Sequence, residues 1–350
     1  MGDQPSTVIG ASRSGQADAP SGSMSAVVQD GYGTSEVLRL AQVTRPEVGP
    51  GEVLIRVHAA GLDRGTVHLM EGKPRLLRLV FGLRTPKQPV IGRDVAGTVV
   101  EVGPGVTRFA VGDEVFGVAP GSVAEYALAR EDKLARRPAG LTWEQVATAA
   151  ISGGTALQAV VDAGSVAAGQ KVLVTGASGG VGSYAVQLAK AFGAEVTAVA
   201  SASKADLVRE LGADHVLDYA SDDFADGSQR YDLIIDIAGL SRLSRLRRAL
   251  TPTGTLVLVG GEGGGDWTGG TIGRQLRARL ASLLSSQRLT SVIAKERASD
   301  YERLAVFLES GQVVPSVDRA YPLAEAADAV RYLESGKVRG KLAITVGPGR

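Results

Sequence analysis

The chain has 350 residues, 38 basic against 37 acidic side chains for a formal charge of +1, and an apolar fraction of 44%. That length and balance describe a soluble globular chain with a substantial core. They exclude a membrane span, which requires roughly 18 consecutive uncharged apolar residues, and the basic footprint of a nucleic-acid binder. With zero cysteines, disulfides, iron–sulfur clusters, thiol nucleophiles and cysteine-bearing zinc sites are excluded as well, and three histidines, His58, His68 and His215, remain for imidazole chemistry.

Residues 1–23 are rich in Gly, Ser, Asp, Gln and Pro without apolar periodicity and read as a flexible tail. They lack the apolar run of a secretory signal, so the cytoplasm is the expected location. From Met24 to about Ala150, β-branched runs at 53–57, 95–102, 115–118 and 123–128 alternate with Gly/Pro turns and predict an antiparallel barrel-like domain. His58 belongs to the first of these strands and is expected to be structural. The stretch from Arg75 to Arg84 is both apolar and basic. It suits a lid over an apolar substrate or a peripheral membrane contact, and the lid is the expectation.

After Gly153-Gly154-Thr155 the texture changes to alternating strands and helices. Strands are expected at 171–175, 195–200, 231–237, 255–259 and 289–294, with helices at 181–192, 203–211 and 240–250, and His215 falls at the entrance of a further strand. Six such strands predict a doubly wound parallel sheet, an α/β fold. Helices at 301–309 and 323–335 and a strand at 342–346 are expected to return to the first domain. The expected units are therefore 24–150, completed by about 312–350, and 151–311.

The strongest motif is Val172-Leu173-Val174-Thr175-Gly176-Ala177-Ser178-Gly179-Gly180-Val181-Gly182, an apolar strand, a glycine-rich turn and the start of an amphipathic helix. Small residues let a backbone approach a pyrophosphate closely, and the helix N-terminus offers free N–H donors at its positive end. Against G-x-G-x-x-G, Ala177 stands in place of the first glycine and Gly179 and Gly182 supply the others, pointing to dinucleotide binding. The same residues spell G-x-S-x-G around Ser178, a hydrolase elbow, but His215 is the only downstream histidine and follows too soon for that fold. About 20 residues beyond the glycines, where an acid would meet a free ribose 2′-hydroxyl, the chain has Ser201-Ala202-Ser203-Lys204. Two hydroxyls and a cation suit a 2′-phosphate, so NADPH is the expected cofactor; the competing reading is that Ser203 caps a helix and Lys204 is solvated.

Segments 103–106 and 111–115, 140–142 leading to 153–156, 175–190, 211–219 and 231–239 together resemble the medium-chain dehydrogenase/reductases, and within them the zinc-independent quinone oxidoreductase branch that includes zeta-crystallin. The resemblance implies a GroES-like barrel domain and a Rossmann domain. Zinc-dependent members carry Cys-His and Gly-His-Glu ligand segments; here Gly61-Leu62-Asp63-Arg64 and Ile91-Gly92-Arg93-Asp94 stand instead, so no metal is expected. Carried over by motif, the resemblance implies Ala177, Ser178, Gly179, Gly180 and Val181 at the pyrophosphate and Ser201, Ser203 and Lys204 at the 2′-phosphate. It implies Tyr219 by the adenine, Val259, Gly260 and Gly261 along the ribose, and Val292, Ile293 and Ala294 beside the nicotinamide. Thr155 would touch the nicotinamide ribose, a role compatible with helix capping. His68 stands where relatives of the zeta-crystallin type have a tyrosine over the substrate cleft, and with Asp63 it is the catalytic candidate.

The function expected is hydride transfer from NADPH to quinones or activated C=C bonds of a small molecule, by a homodimer paired through the apolar edge at 289–294. The alternatives are an NADPH-binding protein with little turnover and, less favoured, a hydrolase using Ser178.

Overall fold

A computed structural model describes residues 22–260, 271–283 and 285–347. Most of the expected tail and Gly261 lie outside the described residues, and Ser23, placed in that tail by composition, already belongs to the first strand.

The first domain opens with the hairpin β1 (Ser23–Gln29) and β2 (Leu38–Thr44), which forms its own two-stranded sheet. It continues with β3 (Glu52–Leu62), α1 (Arg64–Glu71), a short helical segment ending in α2 (Arg78–Phe81), β4 (Asp94–Val102), β5 (Glu114–Val118), β6 (Tyr126–Arg130) and β7 (Leu134–Arg136). The long strand β3 organises the main sheet: β4 runs along one side, and β6 pairs with residues 52–56 on the other. The run expected at 123–128 starts as a strand only at Tyr126. Val123 is used elsewhere, accepting from Val27 N–H at 3.0 Å and donating to Ile91 at 3.0 Å, while Ala124 bridges Ala26.

Two helices, α3 (Trp143–Ala147) and α4 (Ala150–Leu157), lead into the second domain. There β8 (Lys171–Thr175), α5 (Gly180–Ala191), β9 (Glu195–Ala200), α6 (Ala205–Glu210), β10 (His215–Asp218), β11 (Tyr231–Asp236), α7 (Leu243–Ala249), β12 (Leu250–Leu258), α8 (Thr271–Leu283) and β13 (Arg288–Ser291) alternate. The strands form a parallel sheet in the order β10-β9-β8-β11-β12-β13, so successive strands step outward from β8 in one direction and then, from β11, in the other. β8 lies between two strands with helices packed on both of its faces, Val172 and Val174 on one side and Leu173 on the other, which is why its sequence is a continuous apolar run rather than an alternating one. The strand expected at 289–294 stops at Ser291, because β12 ends at Leu258; Val292 N–H makes one more bond to the Leu258 carbonyl at 2.9 Å before the chain leaves the sheet.

The chain then runs through α9 (Ala298–Glu309), β14 (Val317–Pro322), α10 (Ala326–Glu334) and β15 (Lys341–Thr345). β15 pairs antiparallel with residues 59–62 of β3, and Ala326, Ala329, Val330, Leu342 and Ile344 enter the core of the first domain. One pair breaks the expected antiparallel pattern: β14 and β15 run parallel, as a helical crossover through α10 requires. A second buried cluster spans both domains, joining Phe116 and Val118 to α4, α5, β8 and Tyr301.

Candidate active site

The carboxyl end of β8 carries the glycine-rich turn. Gly176 adopts φ +69°, a conformation strained for any other L-residue, and turns the chain so that Ala177 N–H reaches the Val199 carbonyl of β9 at 3.2 Å. Gly182 packs α5 against that turn: a Cβ there would lie 2.1 Å from the Gly176 carbonyl oxygen. Gly179 is the N-cap of α5 and offers no side chain, so no capping side chain takes the first-turn N–H groups. The result is a bare, positively polarised helix end at the point where the strand order reverses, between β8 and β11. Ser178, nearly buried, gives its carbonyl to Gly340 N–H at 2.9 Å.

The neighbouring strand ends complete the rim. A Cβ on Gly260 would lie 1.8 Å from the Ile237 carbonyl oxygen, so Val259 and Gly260 follow β12 closely over the end of β11. Asp236, fully buried, accepts from Thr175 Oγ1 at 2.7 Å and pairs with Arg274, whose guanidinium also reaches the carbonyls of Gly239, at 3.1 Å, and Ser241, at 3.0 Å. Gln158, on the turn after α4, donates to the Lys295 carbonyl at 2.7 Å and accepts from its N–H at 3.0 Å, which fixes the segment of Val292, Ile293 and Ala294. Thr155 lies inside α4 rather than at its cap, and its hydroxyl donates to the Ile151 carbonyl.

Beyond β9, Ser201 Oγ and Ser203 Oγ are 3.1 Å apart. Lys204 is held on the carbonyls of Gly336 and Val338 at 2.9 and 2.7 Å, and burial, then Asp318 in the opposite sense and Arg339, leave its ammonium pKa below the ordinary range. Arg339 stands beside it, donating to the Ser203 carbonyl at 3.0 Å and to Asp206 at 2.7 Å. Tyr219, at the end of β10, is exposed and tied to Ala200 by its backbone.

Asp63 caps α1, accepting from Thr66 N–H at 2.9 Å, and faces Lys341 at 3.6 Å. Asp94 accepts from Ile151 N–H at 2.8 Å and pairs with Lys341 at 3.2 Å. Burial pushes the Asp94 carboxyl up to about 6 against the pull of Lys341. At Asp63 burial acts in the same upward sense, but Lys341 and the two Thr66 donors outweigh it and hold its pKa below the ordinary range. These two aspartates stand in the segments that replace the zinc ligands, and an ammonium already bridges them. The donor set does not fit zinc, and among the described residues no cluster of three or more His, Asp or Glu forms elsewhere.

An apolar cavity of about 190 Å³ opens in the first domain, walled by Tyr32, Leu69, Met70, Phe81, Ile91 and Arg93 among others. Its Arg93 pairs with Glu296 at 2.6 Å, two residues beyond Ala294, so the cavity adjoins the segment that follows β13. His68, half-buried on α1, is not part of this wall, to which Thr66, Leu69 and Met70 contribute from the same helix. His58 stacks on Trp143 with ring centroids 4.3 Å apart and lies 3.0 Å from Thr98 Oγ1. His215 opens β10, paired with Glu195 at the start of β9, whereas Ser178 stands past the opposite end of β8; the Ser–His contact of a hydrolase elbow is not made.

Lys341, Asp94, Arg339, Gln158 and Arg274 were not singled out from sequence as functional. Asp94 was visible only as a replaced ligand, and Arg339-Gly340-Lys341 only as a basic pair before the last strand.

Residues 49–171 match the alcohol dehydrogenase GroES-like domain model and residues 211–344 the zinc-binding dehydrogenase model. The chain is 31% identical over 356 residues to the mitochondrial NAD(P)H oxidoreductase RTN4IP1 of Mus musculus, covering 92% of this chain and 89% of that protein. It is 31% identical over 347 residues to the chloroplastic NADPH-dependent alkenal/one oxidoreductase of Arabidopsis thaliana, covering 92% and 79%. The solved quinone oxidoreductase of Coxiella burnetii superposes with a TM-score of 0.80 at 29% identity, covering 93% of this chain and 100% of that one. With the bare helix end at the switch point and the bridged aspartates in the ligand segments, these likenesses mean that the chain belongs to the medium-chain dehydrogenase/reductases, in the zinc-independent quinone oxidoreductase branch, and is a nicotinamide-dependent oxidoreductase.

Proposed function

We propose that the protein is an NADPH-dependent reductase of quinones or activated C=C bonds that works without zinc. The observation that carries this reading is the uncapped N-terminus of α5 at the switch point, with an apolar cavity opening nearby through Arg93. Bound NADPH supplies hydride to an electron-poor carbon. The chain's own part is to bind and orient. Backbone N–H groups of Ser178 to Val181, after Ala177, take the pyrophosphate; Ser201, Ser203 and Lys204, joined by Arg339, take the 2′-phosphate. Tyr219 flanks the adenine, Val259 and Gly260 follow the ribose, Thr155 meets the nicotinamide ribose, and Val292, Ile293 and Ala294 line the nicotinamide.

Reducing an isolated ketone places full charge on one oxygen, which a zinc ion would otherwise hold. Conjugate reduction leaves a delocalised enolate or phenolate, which one or two hydrogen-bond donors stabilise. His68, on the helix that supplies Thr66, Leu69 and Met70 to the cavity wall but outside that wall itself, is proposed as an auxiliary donor or proton source at the edge of the cavity, and Asp63, by capping that helix, positions it. The edge strand β13, which among the described residues has no strand on its outer side and is flanked by exposed Leu276 and Leu280 of α8, supports a homodimer. The proposed location is the cytoplasm; among the described residues no helix is long and apolar enough to cross a membrane.

The test is NADPH oxidation against quinones, enones and aldehydes, with product analysis and exhaustive chelation. An α,β-unsaturated ketone is expected to give the saturated ketone, with activity unchanged by chelator. An allylic alcohol as main product, or activity lost to chelator and restored by zinc, overturns the reading.

A further inference from the structure

We propose that the segment from Arg75 to Lys87 docks on an anionic lipid surface, and that the cavity beneath it takes a lipid-dissolved substrate from that surface. The second half rests on the reductase reading above; the first does not.

The segment displays a cluster of apolar side chains to solvent. Leu76 is 45% exposed, Leu79 65%, Val80 63% and Leu83 68%, clustered in one short stretch, whereas outside it the large apolar residues exposed between positions 22 and 150, Leu40, Val102 and Val111, are scattered. From Lys73 to Gly92 the sequence has no carboxylate; Arg75, Arg84 and Lys87 are exposed, while Lys73 pairs with Glu71 and Arg78 is turned onto backbone carbonyls. Apolar side chains projecting among cations match the interface of a bilayer with anionic headgroups, where the chains enter the acyl boundary and the cations meet phosphate.

The display is held rather than loose. Arg78 donates to the carbonyls of Glu71 and Gly72, both at 2.9 Å, and lies 4.3 Å over the Tyr32 ring. The Tyr32 hydroxyl donates to the Gly82 carbonyl at 2.6 Å, and Lys87 N–H closes onto Phe81 at 2.8 Å. So fixed, Leu79 and Leu83 stand outside the cavity wall, where a lid would have to bring them onto the ligand. Val80 and Phe81 belong at once to the exposed patch and to the wall, giving an apolar substrate a continuous apolar route inward. A helix of four residues, α2, is too small to supply the roughly 800 Å² per partner of a specific protein interface, whereas insertion into lipid needs only a few side chains.

The full chain is sedimented with phosphatidylcholine vesicles with and without roughly a third phosphatidylglycerol, at low and high salt. Leu79→Ser/Leu83→Ser and Arg75→Gln/Arg84→Gln variants are compared. The expected result is binding to the anionic vesicles alone, release by salt, and about a tenfold or greater loss in each double variant, with turnover of a water-soluble quinone in vesicle-free buffer unchanged. Absence of vesicle binding, equal binding to neutral vesicles, or binding indifferent to both variants overturns the docking proposal. Loss of soluble-quinone turnover in Leu79→Ser/Leu83→Ser without any vesicle effect identifies a lid instead, and loss of self-association in that variant identifies a protein contact. Salt-sensitive vesicle binding by a protein that reduces no soluble quinone or enone sustains the docking surface and sinks the reductase reading.

Discussion

Lys341, on the last strand, is ion-paired at 3.2 Å with Asp94, which opens β4, across 247 positions of sequence and with both side chains buried. The preceding residue, Gly340, donates to the Ser178 carbonyl in the glycine-rich turn. One step of backbone therefore ties the barrel domain to the proposed pyrophosphate loop, and a Cβ on Gly180 would lie 2.9 Å from the Lys341 side chain. A buried pair of this kind is worth little against an apolar replacement of both partners, yet removing one partner leaves uncompensated charge.

Lys341→Met is accordingly expected to destabilise the fold by about 3–5 kcal/mol, because Asp94 and Asp63 would then face each other without a cation. Urea unfolding checks this, and a midpoint equal to that of the parent counts against the bridging role.

Asp94 also sets a pH dependence. Its folded pKa is raised to about 6 from an ordinary value of 3.8, chiefly by burial, so the folded state binds more protons than the unfolded state between those values. The stabilising contribution of the protonated form is present in full at low pH and is lost as pH rises through about 6. Relative to Asp94→Asn, which stays neutral and keeps an acceptor for Ile151 N–H, the parent is expected to lose about 1–3 kcal/mol of stability between pH 4.5 and 7.5. Asp63, whose pKa is held below the ordinary range, acts in the opposite sense only below that window. Parallel stability curves for the two proteins would falsify the assignment.

The sheet was legible because β8, β9 and β11 are buried on both faces and read as apolar runs between glycine turns. β2 was not, because most of its residues face solvent and its apolar residues, Leu38, Leu40, Ala41 and Val43, neither form a continuous run nor alternate strictly. The turn at Gly176 to Gly182 was legible for a similar reason: backbone contacts demand glycine, and glycine is visible in any sequence. Arg339 reaches Ser203 only because the chain folds back 136 positions, and Gln158 reaches Lys295 across 137; nothing local marks either. The segment at 75–84, read as a loop, winds into short helical turns because Arg78 finds the Glu71 and Gly72 carbonyls.

Two glycines in the turn separate packing from ligand space. Gly182→Ala forces a Cβ to 2.1 Å from the Gly176 oxygen and 2.7 Å from Ala177 Cα, so α5 must move; a loss of about 1–3 kcal/mol in stability is expected together with weaker NADPH binding. At Gly179 the nearest atom to a new Cβ is 3.4 Å away and the backbone is ordinary. Gly179→Ala is expected to leave the melting temperature unchanged and to weaken NADPH by about tenfold or more, since the methyl group enters the proposed pyrophosphate space. Thermal melts and cofactor fluorescence titration read the two effects separately; unchanged NADPH affinity in Gly179→Ala counts against that placement.

In the proposed function, the preference for NADPH is assigned to Lys204 and Arg339. Lys204 donates to the Gly336 and Val338 carbonyls, and Arg339 donates to the Ser203 carbonyl and to Asp206. Both cations stand at the end of β9 beside Ser201 and Ser203, where a dianionic phosphate would replace neutral carbonyls at Lys204 and compete with the Asp206 carboxylate for Arg339. A charge-assisted contact is worth about 1.5–3 kcal/mol, so Lys204→Ala and Arg339→Ala are each expected to weaken NADPH by roughly one to two decades and to leave NADH within about twofold. The ratio of the two affinities is the decisive quantity. A merely structural role, in which either side chain only pins the loop at 336–339 to α6, would weaken NADH and NADPH alike and lower the melting temperature. Equal affinity of the parent for both cofactors would remove the basis for assigning a phosphate to this corner at all.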